Sequence, residues 1–256
     1  MAAMTVELTA VPGLPMIRPG DDLVGLTLGR LAAEGQSLRD GDVVVVAQKI
    51  VSKAEGRLVR LSTVEPSDRA LALARDTEKD PRLVELILSE SRRVVRSRPG
   101  VLIVEHRLGF VGANAGIDQS NVDGGEGGET ALLLPENPDA SAERLRAAFL
   151  DRTGRSVGVV INDSFGRPWR IGTVGIALGS AGLPAVIDRR GDADLFGRTL
   201  RVTVIAHADE IAAAASLVMG QADEARPVVI VRGLEARGPS VPASALVRPP
   251  ELDLFR

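Results

Sequence analysis

An α/β protein, of mixed α+β type, is the fold class this sequence predicts, and three observations predict it. Val43–Val46, Val101–Val104 and Val157–Ile161 are short aliphatic runs bounded by turn residues. Such runs read as strands buried on both faces. Between them lie segments that carry helix start signals, so strands and helices alternate loosely along the chain. No repeat of fixed period interrupts that alternation.

The elements follow in order. Pro12-Gly13 and Pro19-Gly20 mark turns, and Asp21 and Asp22 stand where an N-cap would precede Leu23, Leu26, Leu28 and Leu31, predicting a helix. Gly41-Asp42 turns into the Val43–Val46 strand. Pro66-Ser67-Asp68 caps a helix to about Ala74, and Pro81 opens another with Leu83, Leu86 and Leu88 as its apolar positions. Val101–Val104 is the second buried strand. The Gly-, Asn- and Asp-rich segment 109–128 predicts an irregular loop, and a loop that long inside a compact domain is often functional. Ala131–Leu134 is a short strand, and Asp139 and Ser141 begin a helix to about Leu150. Val157–Ile161 is the third buried strand and is expected to end at Asn162-Asp163-Ser164. Residues 172–182 form a Gly-rich strand or turn, Leu200–Ala206 an alternating strand, Ala208–Met219 an Ala-rich helix and Val228–Val231 a last strand. A Pro-rich tail occupies 238–256.

Composition removes several function classes. The 256 residues are 45% apolar and 25% charged, a balance that belongs to a packed globular chain. There is no Cys, which excludes disulfides, thiolate nucleophiles and iron–sulfur clusters. Only His106 and His207 exist, so a multi-histidine metal site is excluded as well. Tyr is absent, and one Trp and five Phe leave little for base stacking, while a net charge of −3 offers no global basic field. Both features argue against nucleic acid as a partner. No window reaches the roughly 18 unbroken apolar residues of a membrane span, and the first residues lack a secretory signal pattern. A cytoplasmic enzyme that does not engage membranes is the expectation.

The common signatures are missing too: there is no Gly-x-x-x-x-Gly-Lys-Ser/Thr loop, no Gly-x-Gly-x-x-Gly and no His-Glu-x-x-His. Four other segments carry chemistry. Asn162-Asp163-Ser164 delivers a carboxylate and a hydroxyl side by side after a buried strand. These are two hard oxygen ligands for Mg²⁺ or Mn²⁺, or else an Asx-turn; spacing does not decide between them. Gly112–Asn121 packs small and polar residues around Asp118, a second carboxylate or a plain surface loop. Gln48–Arg57 places Lys49 and Lys53 behind a strand, where they would neutralise phosphate oxygens or simply be solvated. Arg167 and Arg170 flank Trp169, offering guanidinium forks to an acidic ligand or a structural stack on the indole. The cluster Arg92, Arg93, Arg96 and Arg98 reads as a solvated face.

Together these segments resemble the coenzyme F420:L-glutamate ligase family, the γ-glutamyl ligases of a deazaflavin coenzyme. The resemblance is carried in order by QKIVSKAEGR (48–57), GANAGIDQSNV (112–122), LLPENPDASA (133–142) and NDSFGRPWR (162–170), and is extended by GDADLFG (191–197) and ADEIAAAASLVMG (208–220). It implies a mixed α/β fold without a P-loop, as two closely packed subdomains within one domain over 1–256. It implies no nitroreductase-like domain after the 238–256 tail. It also implies GTP as cosubstrate, Mg²⁺ or Mn²⁺, K⁺, and a homodimer. The family's metal positions fall on Asp118, Asp163, Ser164 and Gln221. Its nucleotide positions fall on Leu14, Pro15, Met16, Ile17, Gln48, Lys53, Asn121 and Gly220.

The implied reaction transfers the γ-phosphoryl group of GTP to the terminal carboxylate of the precursor F420-0. The amine of L-glutamate then displaces phosphate from the acyl phosphate. Lys53 would contact phosphate. Arg167 and Arg170 are candidates for the acidic substrate on the ground of bidentate geometry. Three rival readings stay open: an amide ligase for another acidic metabolite, a non-catalytic GTP-binding module, and a metal-dependent phosphatase.

Overall fold

The computed structural model describes residues 4–119, 129–167, 169–235 and 238–254, with the backbone alone at Arg167. In chain order the elements are β1 (Glu7–Ala10), α1 (Leu23–Ala33), β2 (Val43–Ala47), α2 (Gln48–Ala54), β3 (Leu58–Arg60), α3 (Asp68–Thr77), α4 (Pro81–Ser89), β4 (Ser91–Arg98), β5 (Val101–His106), β6 (Val111–Ala113), β7 (Thr130–Leu132), α5 (Pro138–Thr153), β8 (Gly158–Arg167), β9 (Arg170–Ala181), β10 (Ile187–Asp188), β11 (Val204–Ile205), α6 (His207–Met219) and β12 (Val228–Arg232). The mixed α/β class is as expected. Among the described residues no helix is long and apolar enough to cross a membrane.

The central sheet runs β1-β12-β2-β8-β9, with β2 and β8 parallel and the other neighbours antiparallel. Its middle strands are apolar on both sides because both faces are covered. Val44, Val46, Val159 and Ile161 pack toward α1, α2 and α5, while Val43, Val45 and Val160 pack toward α6. Period-two alternation splits each run between two cores. α1 starts where expected, with Asp22 accepting from the Gly25 N–H at 3.1 Å; Ser67 caps α3 in the same way.

A third core lies beside this sheet, beneath α3, α4 and the sheet β4-β5-β6. Here one expectation needs correcting. Val101–Val104 is not buried on both faces: Leu102 and Val104 are fully buried, but Val101 and Ile103 are half exposed. The sheet has a single packed face, so the aliphatic run conceals an ordinary alternation. The arginine cluster is a solvated face, as expected: Arg92, Arg93, Arg96 and Arg98 are all exposed, and they lie on strand β4. It is an edge strand with two register shifts against β5, and its arginines guard that edge. Of Leu200–Ala206, only Val204–Ile205 pairs as a strand, against Ile187–Asp188.

The main correction concerns β8. It does not end at Ile161 but continues through Asn162, Asp163 and Ser164 to Arg167, because β9 pairs with it along the whole length. What ends there is the parallel neighbour β2, whose Ala47 lies opposite Asn162. Asp163 therefore rises just past the end of the β2–β8 pair while fixed on a continuous ladder. That ladder is clamped from both sides. A Cβ on Gly175 would stand 2.2 Å from Ser216 Oγ of α6, and one on Gly179 would stand 2.3 Å from the Pro138 carbonyl oxygen of α5. Gly175→Ala is expected to cost about 1–3 kcal/mol by overpacking, read as a lower urea midpoint. An unchanged midpoint would mean that α6 does not press on β9.

Candidate functional site

The site begins where β2 hands over to α2 without a break. Gln48 leaves the sheet 1% exposed, so its amide must find partners inside. Its Nε2 donates to Asp118 Oδ2 at 2.9 Å, and its Oε1 accepts from Ser52 Oγ at 3.0 Å one helical turn on. Lys49 Nζ stands 3.4 Å from Asp118 Oδ1, and buried Lys53 adds positive charge from the next turn. Asp118 is mounted by its own backbone, which exchanges hydrogen bonds of 3.0 and 2.8 Å with Leu132, the last residue of β7. The chain reaches that mount through Asn114, Ala115 and Gly116, all with positive φ, and a Cβ on Gly116 would press to 2.8 Å of Leu134. This tight turn is what the small residues of the 112–118 segment are for.

Asp163 faces this assembly from β8. Its Oδ1 accepts from the Ser164 N–H at 2.8 Å. Burial, and then the negative charge of Asp118, push the Asp163 carboxyl up to about 7, against the pull of the Ser164 N–H, Lys49 and Gln48. Burial raises Asp118 as well, with Lys49 opposing it. Two carboxylates thus share one poorly solvated place, with Gln48 between them.

The surrounding cleft, about 600 Å³, gathers distant segments. Leu14, Pro15, Met16 and Ile17 form one wall, Gln48 and Lys53 the floor, and Asn162, Asp163 and Ser164 the sheet side. Gly220, Gln221 and the loop to Pro227 close it, with Thr173 Oγ1 donating to Gln221 Oε1. Every sequence-predicted position among the described residues, Arg170 apart, either lines this cleft or, for Asp118, joins it through Gln48 and Lys49. Asn121 lies outside the described residues, as does the Arg167 side chain. Arg170 is not brought here: it sits exposed near the tip of the β8–β9 ribbon, because β8 runs on past Asp163 instead of turning back over the cleft.

Lys49, which the sequence offered beside Lys53 as a neutraliser of phosphate or a solvated residue, lines the cleft, and two groups there escaped assignment from sequence. Arg226 lines the closing loop without any distinguishing pattern. Buried Asn162 donates to Ser216 Oγ at 2.9 Å and keeps an unpartnered Oδ1; its position at the end of a valine run marked it.

Among the described residues no group of three or more His, Asp or Glu stands ready to hold a metal. A Mg²⁺-type ion needs less, because one or two carboxylates suffice when phosphate oxygens and water complete the shell. The donors here are hard oxygens: the carboxylates of Asp118 and Asp163, Ser164 Oγ and Gln221 Oε1. Burial first, and the Asp118 charge second, raise the Asp163 carboxyl, and a cation bound between the two would offset both. The residues fit a divalent cation.

Comparison with known proteins came out consistently. The family described as F420-0:Gamma-glutamyl ligase matches residues 13–233. The chain is 49% identical to the coenzyme F420:L-glutamate ligase of Methanothermobacter thermautotrophicus, over 99% of this chain and 100% of that protein. It is 48% identical to the protein of the same name from Methanopyrus kandleri, over 98% of each chain. Against that of Methanocaldococcus jannaschii it is 43% identical, over 95% of this chain and 94% of the other.

Proposed function

The chain belongs to the F420-0:gamma-glutamyl ligase family, and from that premise we propose that it joins L-glutamate to the terminal carboxylate of F420-0, with GTP as phosphoryl donor. One observation carries the reading: segments near residues 14, 48, 163 and 220 line a single cleft with Lys49 and Lys53, and Gln48 and Lys49 tie it to the second carboxylate, Asp118. That is a site for a polyanion and its counter-cations.

The chemistry needs such a site because a carboxylate cannot be attacked by an amine until an oxygen becomes a leaving group. An oxygen of the F420-0 carboxylate attacks the γ-phosphorus, the bond to the β-phosphate oxygen breaks, and GDP departs. The glutamate ammonium gives one proton to water, its nitrogen attacks the acyl carbon, the C–O bond to phosphate breaks, and phosphate leaves with the electron pair and takes up the second N–H proton. Lys49 and Lys53 set positive charge beside the phosphate oxygens. Leu14–Ile17 and the Gly220–Pro227 loop enclose the nucleotide and exclude water. Asp118, Asp163, Ser164 and Gln221 would hold Mg²⁺ or Mn²⁺, which offsets the charge that builds on the transferring phosphoryl group. Positioning and electrostatics supply most of the rate in such a transfer.

The resemblance further implies K⁺, a homodimer and a cytoplasmic location.

The test is mass spectrometry of F420-0 incubated with the protein, GTP, Mn²⁺ and L-glutamate. The expected result is a gain of one or more glutamyl units with matching GDP. GDP without a glutamyl product would make this a phosphatase, and GTP binding without GDP would make it a binding module. Lys53→Ala is expected to raise the KM for GTP about tenfold or more, since a charge-assisted contact is worth about 1.5–3 kcal/mol. The KM for L-glutamate should stay within about twofold. Equal GTP constants in both proteins would remove Lys53 from the phosphate site.

A further inference from the structure

A second cavity, also about 600 Å³, lies on the outer side of β9, the edge strand of the central sheet. Its walls are the turn between β5 and β6, the first turns of α5 and α6, and the tail beyond residue 242. It shares a wall with the first cleft. Asn162 and Asp163 face that cleft, and their partners across the ladder, Ala177 and Ile176, face the second cavity. The two spaces are thus separated by one pair of strands, about 5 Å.

The charges on these walls are of both signs, and most are matched: Arg107 pairs with Glu90, Glu136 with Arg57, and Asp139 accepts backbone N–H groups, which leaves Asp209 and Arg248 as the two without an ion-pair partner among the described residues. Asp209 Oδ1 accepts from the Ala177 N–H at 2.9 Å, and no cation pairs with Asp209 among the described residues. Burial pushes its carboxyl up, as expected of a carboxylate without a counter-charge. Strand geometry turns the Ala177 carbonyl the same way as its N–H, adding an acceptor beside Asp209. Arg248 stands exposed on the tail with no ion-pair partner among the described residues. The tail is firmly seated: Asp139 accepts from the N–H groups of Ser180, Ala243 and Ser244 at 2.9, 2.8 and 3.1 Å. Between these polar ends, Phe110 and Ile176 make an apolar floor. Phe110 packs edge-on against Phe165 at 5.0 Å, two residues beyond Asp163 on the same strand face.

We propose that this cavity is the amino-acid site: L-glutamate binds with its ammonium group against Asp209 and the Ala177 carbonyl and its carboxylates toward Arg248. An α-amino dicarboxylate matches a carboxylate from α6 and a guanidinium from the tail, both lining one cavity and neither ion-paired among the described residues. From there the ammonium gives up one proton to water, and the amine reaches the acyl carbon past Ile176, the ladder partner of Asp163 in the wall between the two spaces. The assignment deepens the ligase reading above and rests on it.

Initial rates of glutamyl product formation, with L-glutamate and GTP varied separately, test it in wild type, Asp209→Asn and Arg248→Ala. The KM for L-glutamate is expected to rise about tenfold or more in each variant, with the KM for GTP within about twofold. An unchanged glutamate constant in Arg248→Ala, or equal rises in both constants, overturns the assignment while leaving the ligase reading intact. Should Asp209→Asn fail to fold, Arg248→Ala on the exposed tail decides alone. Should wild type yield no glutamyl product, the ligase reading falls. Calorimetric titration of L-glutamate then decides the site: binding that is lost in Arg248→Ala supports it, and no binding, or binding that persists, overturns it.

Discussion

Replacing Asp163 by alanine is expected to cut glutamyl ligation about a thousandfold or more while the protein keeps its fold. Removing one preorganised charge-stabilising group costs about 10²–10³ in rate, and Asp163 contributes to a pair whose members act together. The expected rate loss in Asp118→Ala, and in the double variant, is therefore close to that of Asp163→Ala alone rather than the product of the two. The same substitution should raise the stability of the nucleotide-free protein. A carboxyl at about 7 in the fold but near 4 when unfolded is protonated in both states at acid pH and costs nothing. As pH rises through 4, the unfolded chain ionises first, so the penalty grows until about pH 7 and then levels off. A melting midpoint at pH 7.5 above wild type, together with lost turnover, is the expected pair of results. Turnover within tenfold of wild type would remove Asp163 from the reaction, and a lowered midpoint would make it a structural residue.

That trade between function and stability explains why the site was only partly legible in the sequence. Valine runs flanked by turns announce β2 and the first half of β8, because burial on both faces demands apolar residues at every position. Gln48, Asp118 and Asp163 were legible as motif members. That they meet was not, because Asp118 depends on a backbone bridge to Leu132 and a turn of three positive-φ residues. The end of β8 was misplaced because Asn162-Asp163-Ser164 reads locally as a break, whereas pairing with β9 overrides that preference. Arg170 was misplaced with it, since an arginine seven residues past a strand end would lie near the cleft, but one on a continuing ribbon is carried away. The second cavity left no signature at all. Each of its walls contributes one unremarkable group, a carboxylate at Asp209 or a guanidinium at Arg248, and only the fold brings them together.

Glu90→Gln is expected to cost about 3 kcal/mol of stability at neutral pH, and the loss should vanish in acid. Glu90 closes α4 and is 8% exposed. Arg57 Nη2 and Arg107 Nε each donate to it at 2.9 Å, and His106 Nε2 lies 3.5 Å away. Burial alone would raise the Glu90 carboxyl, but His106, Arg107 and Arg57 outweigh it and hold the group at about 2. The unfolded value is near 4.3–4.5, so the folded state prefers the ionised form. That preference is fully present above about pH 4.5 and is lost as pH falls toward 2. Its size, a little over two pH units at about 1.4 kcal/mol each, gives the figure above, and a broken buried pair falls in the same range. Urea midpoints of wild type and variant should therefore differ most at pH 7 and converge near pH 2; parallel curves across that window would show that Glu90 is not the acid-sensitive group. The consequence reaches the cleft. Arg57 Nε and Arg107 Nη1 each donate at 2.8 Å, to the carbonyls of Leu134 and Glu136 respectively. Glu90 thereby steadies the strand segment on which Asp118 is mounted and the entry to α5 that walls the second cavity.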